Sequence, residues 1–327
     1  MHGYRRFCNK LYQATKYVLG KIPSDFVPLP SASKSGKESL AELWILHKFN
    51  VAATEINKAI EAREFSEATQ VAYHYCYNHL CDVYIENSKT IIQDGSAEES
   101  HSAQQTLYTA LEGALTLIHP FMPFLTEELW QRLPRRPNDK CPSIMKAAYP
   151  ERRTEFDDTV SEEAYELVLA LSKAIRSLAA SYDIKEHAQI VIKPQSAKVA
   201  ATCRAQLASV KSLGGKYTYG PESSVKVLSP EDPNPTGSIP QAVGTEAAVF
   251  LHVRDRIDID KEIEKAKTRR DKANETIQKQ KKLMHGDGWS KMKKSVQETE
   301  QRKLEEAESE VTVLQGSIDQ FTRLKLE

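Results

Sequence analysis

Residues 119–130 read His-Pro-Phe-Met-Pro-Phe-Leu-Thr-Glu-Glu-Leu-Trp. The stretch closes a long helical run. Pro120 cannot continue a helix, and Pro123 stands where a new one can begin. The reading is a sharp helix-to-helix corner, with Phe121, Phe124, Leu125, Leu129 and Trp130 giving apolar surface on both sides. Thr126 followed by two carboxylates suits a helix start, because acids favour the positive end of the helix dipole. Glu127 and Glu128 are adjacent, point in different directions on a helix, and make no acid/base pair.

Upstream of the corner, apolar residues recur at helical spacing. Residues 1–20 form an amphipathic helix on Tyr4, Phe7, Leu11, Ala14 and Val18, with Arg5, Arg6, Asn9, Lys10, Gln13 and Lys16 on its other face. Residues 28–36, rich in Pro, Ser, Lys and Gly, are a loop. Further helices follow over 37–62, 66–92 and 98–118, joined by short connections, which implies an antiparallel up-and-down bundle. His74, Cys76, His79 and Cys81 invite a zinc reading. At about 100° per residue, however, His74 and Cys81 share one helix face while Cys76 and His79 share the opposite one. Four ligands cannot converge from that arrangement, so no metal is expected.

Downstream, the proline-rich stretch 134–142 marks a boundary. A small α/β module follows, with helices over 160–181 and 197–212 and strands over 188–192, 225–228 and 247–253; residues 230–240 form a turn-rich loop. From about 257 the pattern becomes heptad-like. Ile259, Ile263, Ala266, Ala273, Ile277 and Met284 alternate three- and four-residue steps, interrupted by Arg270 and Gln280. After His285-Gly286-Asp287-Gly288, the steps resume at Leu304, Ala307, Val311, Leu314, Ile318 and Phe321. The result is an antiparallel coiled-coil hairpin. The expected fold is therefore mainly α, in three parts: 1–150, a helical bundle; 151–256, a small α/β module; 257–327, the coiled-coil arm.

Composition bounds the function. The 327 residues include 45 basic and 45 acidic side chains, so only local charge can argue for nucleic acid. Residues 261–294 hold twelve Lys/Arg against five Asp/Glu, a net +7; residues 295–327 hold four against eight, a net −4. Salt-bridging between arms would absorb the acidic arm but leave a basic excess at the turn, where Lys279, Lys281, Lys282, Lys291, Lys293 and Lys294 surround Trp289. Basic charge with an aromatic suits an arm laid on RNA phosphate; the alternative is a solvated or protein-binding arm. Five cysteines without a CxxC pair, and no signal peptide, point to reduced thiols in the cytosol or an organelle matrix. The first helix is not Ser-rich and is not read as a transit peptide. No apolar run reaches the roughly 20 residues of a membrane span.

The corner resembles the H-P-F-x-P-F-x-T-E-E-L-W signature of class I aminoacyl-tRNA synthetases for valine, isoleucine and leucine, where it lies in the anticodon-binding domain. Phe7, Asn9, Lys10, Leu11, Tyr12, Ala14 and Lys16 resemble the F-x-N-K-L-Y-x-A-x-[KR] start of that domain in the valyl-tRNA synthetases. The order of bundle, corner, α/β module and arm is similar to that family's, and covers nearly the whole chain.

The resemblance implies the tRNA-recognition part of a valine–tRNA ligase, cytoplasmic or mitochondrial, with tRNA as partner, valine tRNA in particular. ATP belongs to the full enzyme and no cofactor is expected in this chain. The family's H-I-G-H-like motif and a Gly-rich phosphate site are absent from the sequence. Lys291-Met292-Lys293-Lys294-Ser295 looks like a K-M-S-K-S motif only by coincidence, since it sits in the arm. The chain alone is expected not to charge tRNA. Candidate anticodon contacts are Arg5, Arg6, Asn9, Lys10 and Lys16 on the first helix, with Arg63, Glu64 and Phe65 at the turn between the second and third. Arg and Lys would hold phosphate, while Asn, Glu and an aromatic would read or stack unpaired bases. The rival readings are a stand-alone tRNA-binding factor and a coiled-coil scaffold that binds proteins.

Overall fold

The structure, a computed structural model, describes residues 2–137, 139–184, 188–218, 224–253, 259–284, 289 and 294–326. The chain divides into two compact units, Met1–Arg176 with Ala201–Tyr219, and Ser177–Ala200 with Gly220–Glu327.

The first unit is built on long helices. They are α1 (His2–Lys21), α2 (Leu40–Glu61), α3 (Phe65–His74) continued by a π-helical segment Tyr75–Tyr84 into α4 (Ile85–Asp94), and α5 (Ala97–Ile118). Sequence chemistry sets their ends. Ser96 and Glu99 form a reciprocal capping box at the start of α5, with bonds of 3.3 and 2.7 Å. Tyr75 and Tyr84 donate to the carbonyls of Ala110 and Ala103, which fixes the third helical run antiparallel to α5. Trp44, Tyr75, Tyr84, Leu11, Ile56 and Leu107 are fully buried among these helices. At Gly113 a Cβ would lie 2.4 Å from the Phe49 ring, so the close approach of α2 and α5 requires glycine there.

The corner forms as its prolines dictate, with one change of detail. Helix α6 (Pro123–Trp130) starts at Pro123 itself, and Met122 precedes it with φ −141°. Thr126 is therefore inside the first turn rather than ahead of it, and is fully buried. Leu129 and Trp130 are buried, whereas Phe124 is 91% exposed and packs on neither side. The proline-rich stretch is held to α5: Tyr108 donates to the Pro134 carbonyl at 2.7 Å and Arg136 pairs with Glu112 at 2.7 Å.

Residues 151–176, assigned from sequence to the α/β module, belong to the bundle. Helix α7 (Thr159–Ser181) carries Glu162, 2.6 Å from Lys48 and 3.1 Å from His47, and Tyr165, whose ring centre is 4.9 Å from that of Trp44. Asn87 of α4 donates to Tyr165 at 2.7 Å and to Ser209 at 3.3 Å. Ser209 lies on α9 (Leu207–Gly214), separated at Gln206 from α8 (Ala197–Ala205), so the single helix expected over 197–212 is two.

The second unit holds a four-stranded mixed sheet in the order β2-β1-β4-β3, from β1 (Gln189–Pro194), β2 (Ser224–Val227), β3 (Ser238–Val243) and β4 (Ala247–His252). β1 runs parallel to β2 and antiparallel to β4; β3 and β4 are antiparallel, with Pro240 opposite Phe250. β3 lies in a segment read as a loop to Pro240. Its proline sits on an edge strand, where a missing N–H is tolerated. Two further helices, α10 (Ile259–Met284) and α11 (Lys294–Leu326), pack as an antiparallel hairpin. Lys325 meets Asp260 at 2.5 Å, Arg270 meets Gln315 at 2.9 Å, and Lys281 meets Glu308 at 2.8 Å. Ala266, Ala273, Ile277, Ala307, Leu314, Ile318 and Phe321 are its buried seam.

Candidate nucleic-acid interface

On α1, the stripe Phe7, Leu11, Ala14 and Val18 is buried, which leaves Arg5, Arg6, Asn9 and Lys16 exposed on the opposite side. Lys10 lies at the margin. Its Nζ is 2.7 Å from Asp82 and 5.2 Å from the Tyr77 ring centre. Burial works against the ammonium charge, but the hydrogen bond to Asp82 and its carboxylate outweigh it, so the pKa stands above the usual lysine value. Lys10 is thus partnered within the bundle.

The turn between α2 and α3 has a defined geometry. Arg63 donates to the Ile60 carbonyl and Glu64 to that of Ala59, the paired bonds of a Schellman motif. That motif puts its C′ residue in the left-handed region, and here this is Arg63, with φ 62°. Glycine is the usual occupant, so a long cation at this point is a local cost. Glu64 is exposed, and Phe65 is 58% exposed.

Between these elements runs a mainly apolar groove of about 860 Å³. Its walls are Phe7 of α1, Thr69 and Tyr73 of α3, Asn78 of the π segment, and Phe121 and Met122 of the corner. The Phe7 and Tyr73 rings are 4.9 Å apart, and Tyr73 stacks on Tyr77 at 5.3 Å and 13°. Phe65, Thr69 and Tyr73 follow i, i+4, i+8, so the exposed phenylalanine lies on the same helix face that lines the groove. The space lies within the size range of small-ligand sites, and its aromatic walls suit a flat unstacked ring. No motif pointed to Tyr73, Asn78 and Met122 as site residues. The groove joins three elements that are distant in sequence, and the only local signal was the run of tyrosines at 73, 75 and 77.

In the second unit, Lys279, Lys281 and Lys282 are exposed on α10, with Lys281 paired to Glu308 of α11. Trp289 is half-buried, and its carbonyl accepts from Gln297 at 2.6 Å. Lys291 and Lys293 lie outside the described residues. Lys294 opens α11, and its side chain is likewise outside the description.

Residues 42–193 match the family described as the anticodon-binding domain of tRNA ligase. The whole chain is 39% identical over 327 residues to the mitochondrial valine–tRNA ligase of Saccharomyces cerevisiae. It is 46% identical over 213 residues, 65% of the chain, to the valine–tRNA ligase of Schizosaccharomyces pombe, and 34% identical over 98% of the chain to that of Homo sapiens. The chain belongs to the valine–tRNA ligase family. It spans 29%, 22% and 25% of the lengths of these three relatives, and corresponds to the C-terminal part of the ligase.

The histidine–cysteine cluster of this valine–tRNA ligase family member is a packing feature. Sequence reasoning with α geometry put His74 and His79 on different faces. The π register, which bonds residues five apart, brings their rings to 4.5 Å. Burial, then the neighbouring His74, lowers the His79 pKa to about 3, so this imidazole is neutral. Cys76 and Cys81 are buried, and burial pushes the Cys81 thiol up to about 12. Neither has the character of a reactive thiolate. Among the described residues no helix is long and apolar enough to cross a membrane.

Proposed function

We propose that this chain is the tRNA-recognition part of a valine–tRNA ligase. The bundle receives the anticodon loop and the helical hairpin lies along the tRNA body. Unstacked anticodon bases enter the groove walled by Phe7, Tyr73 and Phe121 and stack there. Arg5, Arg6, Asn9, Lys16 and Arg63 hold the adjoining phosphates and base edges, and Glu64 and Phe65 border the loop. Lys279, Lys281, Lys282, Lys291, Lys293 and Lys294, with Trp289, grip the backbone farther along. Valine activation with ATP takes place in a part of the enzyme outside this chain, which on its own does not charge tRNA. Reduced thiols suit the cytoplasm or the mitochondrial matrix.

The observation that carries this reading is the family match over residues 42–193, which takes in most helices of the first unit, together with that unit's aromatic groove beside exposed arginines. The test is binding of the full chain to a panel of purified tRNAs across salt, including valine tRNA with altered anticodon bases. Preference for valine tRNA that disappears with the anticodon change is expected. Equal, steeply salt-dependent binding to every tRNA would reduce the chain to a basic clamp. Capture of a protein partner in a complex free of RNA would favour a scaffold role.

A further inference from the structure

One side of the groove depends on a chain reversal of only a few residues. Phe121 and Met122 lie between the end of α5 at Ile118 and the start of α6 at Pro123. Phe121 N–H and Met122 N–H both donate to the Ile118 carbonyl, at 3.0 and 3.1 Å. Those bonds turn the chain, and the Met122 carbonyl accepts the first backbone bond of α6, from Thr126 N–H at 3.2 Å. Two side chains add to that bond. Thr126, fully buried, places its hydroxyl 2.9 Å from the Met122 carbonyl oxygen and 3.3 Å from that of Pro123, so Met122 is the nearer acceptor. His119, 8% exposed, places Nδ1 2.6 Å from that hydroxyl. His119 Nε2 is buried without a hydrogen-bond partner among the described residues.

The donor count decides the order. A hydroxyl carries one hydrogen. Were Thr126 to spend it on His119 Nδ1, the ring hydrogen would sit on Nε2, as a buried N–H with nothing to accept it. Orphaned buried N–H groups are rare, whereas an unused lone pair is tolerated more readily. With the hydrogen on Nδ1, His119 donates to Thr126 and Thr126 donates to the Met122 carbonyl, so every hydrogen is used. Burial, opposed by the Glu127 carboxylate, holds the His119 pKa below the usual histidine value, which keeps the ring neutral.

We propose that His119 and Thr126 form a directed hydrogen-bond relay that gives the Met122 carbonyl a second, side-chain bond beside its backbone one and thereby holds the Phe121–Met122 wall of the groove for a stacked RNA base. Both are positioning residues, since neither lines the groove. The relay as an RNA-positioning device rests on the anticodon-loop reading above.

The experiment compares Thr126→Val, which keeps the shape and removes the hydroxyl, with Thr126→Ser, which restores it. Each is titrated with the anticodon stem–loop of valine tRNA across salt, and two-bond nitrogen–proton NMR reads the His119 tautomer in the parent chain. The expected result is an Nδ1–H tautomer and about tenfold weaker binding for Thr126→Val. Its salt slope should be unchanged, because the phosphate contacts remain, and Thr126→Ser should bind as the parent does. An Nε2–H tautomer, or a folded Thr126→Val chain that binds like the parent, overturns the relay. If the parent chain binds no RNA, the anticodon-loop reading falls, and the relay is judged by NMR alone. An Nδ1–H ring with a displaced Met122 methyl signal in Thr126→Val then upholds it, and an unmoved methyl signal overturns it.

Discussion

Arg63 holds φ 62° at the end of α2, a conformation that glycine reaches without steric cost. Replacing it by glycine should raise stability by about 1 kcal/mol, read as a higher urea midpoint, and should weaken tRNA binding. A change in which stability and affinity move together would remove Arg63 from the proposed interface. Gly113 is the opposite case, because its small size serves packing. A methyl group there meets the Phe49 ring, so Gly113→Ala should cost about 1–3 kcal/mol with no direct effect on RNA contacts. At this scale the sequence disclosed residue types but not neighbourhoods. Arg5, Arg6 and Phe65 were singled out from type and position, and all three are exposed. Tyr73 and Met122 were not, because an aromatic or a methionine at helical spacing reads equally well as core.

Among the elements, α7 shows how charge can report a packing arrangement. Glu162 is taken partly out of water, which alone would raise its pKa, but Lys48 and His47 outweigh that and hold it below the ordinary glutamate value of 4.5. Its contribution to stability is therefore complete above that value and is lost as pH falls through the lower, folded one. Lys48 is shifted up from 10.5: burial opposes the charge, and Glu162 and Glu166 overcome it. Its contribution is complete below 10.5 and is lost as pH rises through the higher folded value. The difference in melting temperature between the parent and Lys48→Met should thus be flat between these limits and shrink beyond each. A difference that persisted at acid pH would mean that the lysine acts through its aliphatic stem instead. The long helices were legible because their apolar period is regular over five turns or more. β3 was not, because Pro240 and its turn-forming neighbours argue against a strand unless one knows that it lies at a sheet edge. The π segment left no trace in periodicity, because a ten-residue change of register is too short to shift a pattern.

For the whole molecule, proposed function and salt are linked. Each phosphate contact adds about 0.7–0.9 to the slope of log affinity against log salt. Changing Lys281, Lys282, Lys293 and Lys294 together to Glu should therefore flatten that slope by several units while sparing anticodon preference. An unaltered slope would take the hairpin out of the interface. The hairpin seam was readable in advance: Ala266, Ala273, Ile277, Ala307, Leu314, Ile318 and Phe321 were picked out by heptad steps and are buried. The membership of α7 and α9 in the bundle was not readable, since the proline-rich stretch before them looks like a boundary. That membership bears on how the protein is made. His47 and Glu162 are 115 residues apart, and Asn87 and Ser209 are 122 apart. During vectorial synthesis, the polar groups of α2 and α4 emerge from the ribosome well before the side chains that satisfy them. The nascent bundle must wait with Lys48 and Asn87 still hydrated. Its last step of closure is therefore timed by translation through residue 209 rather than by completion of α5.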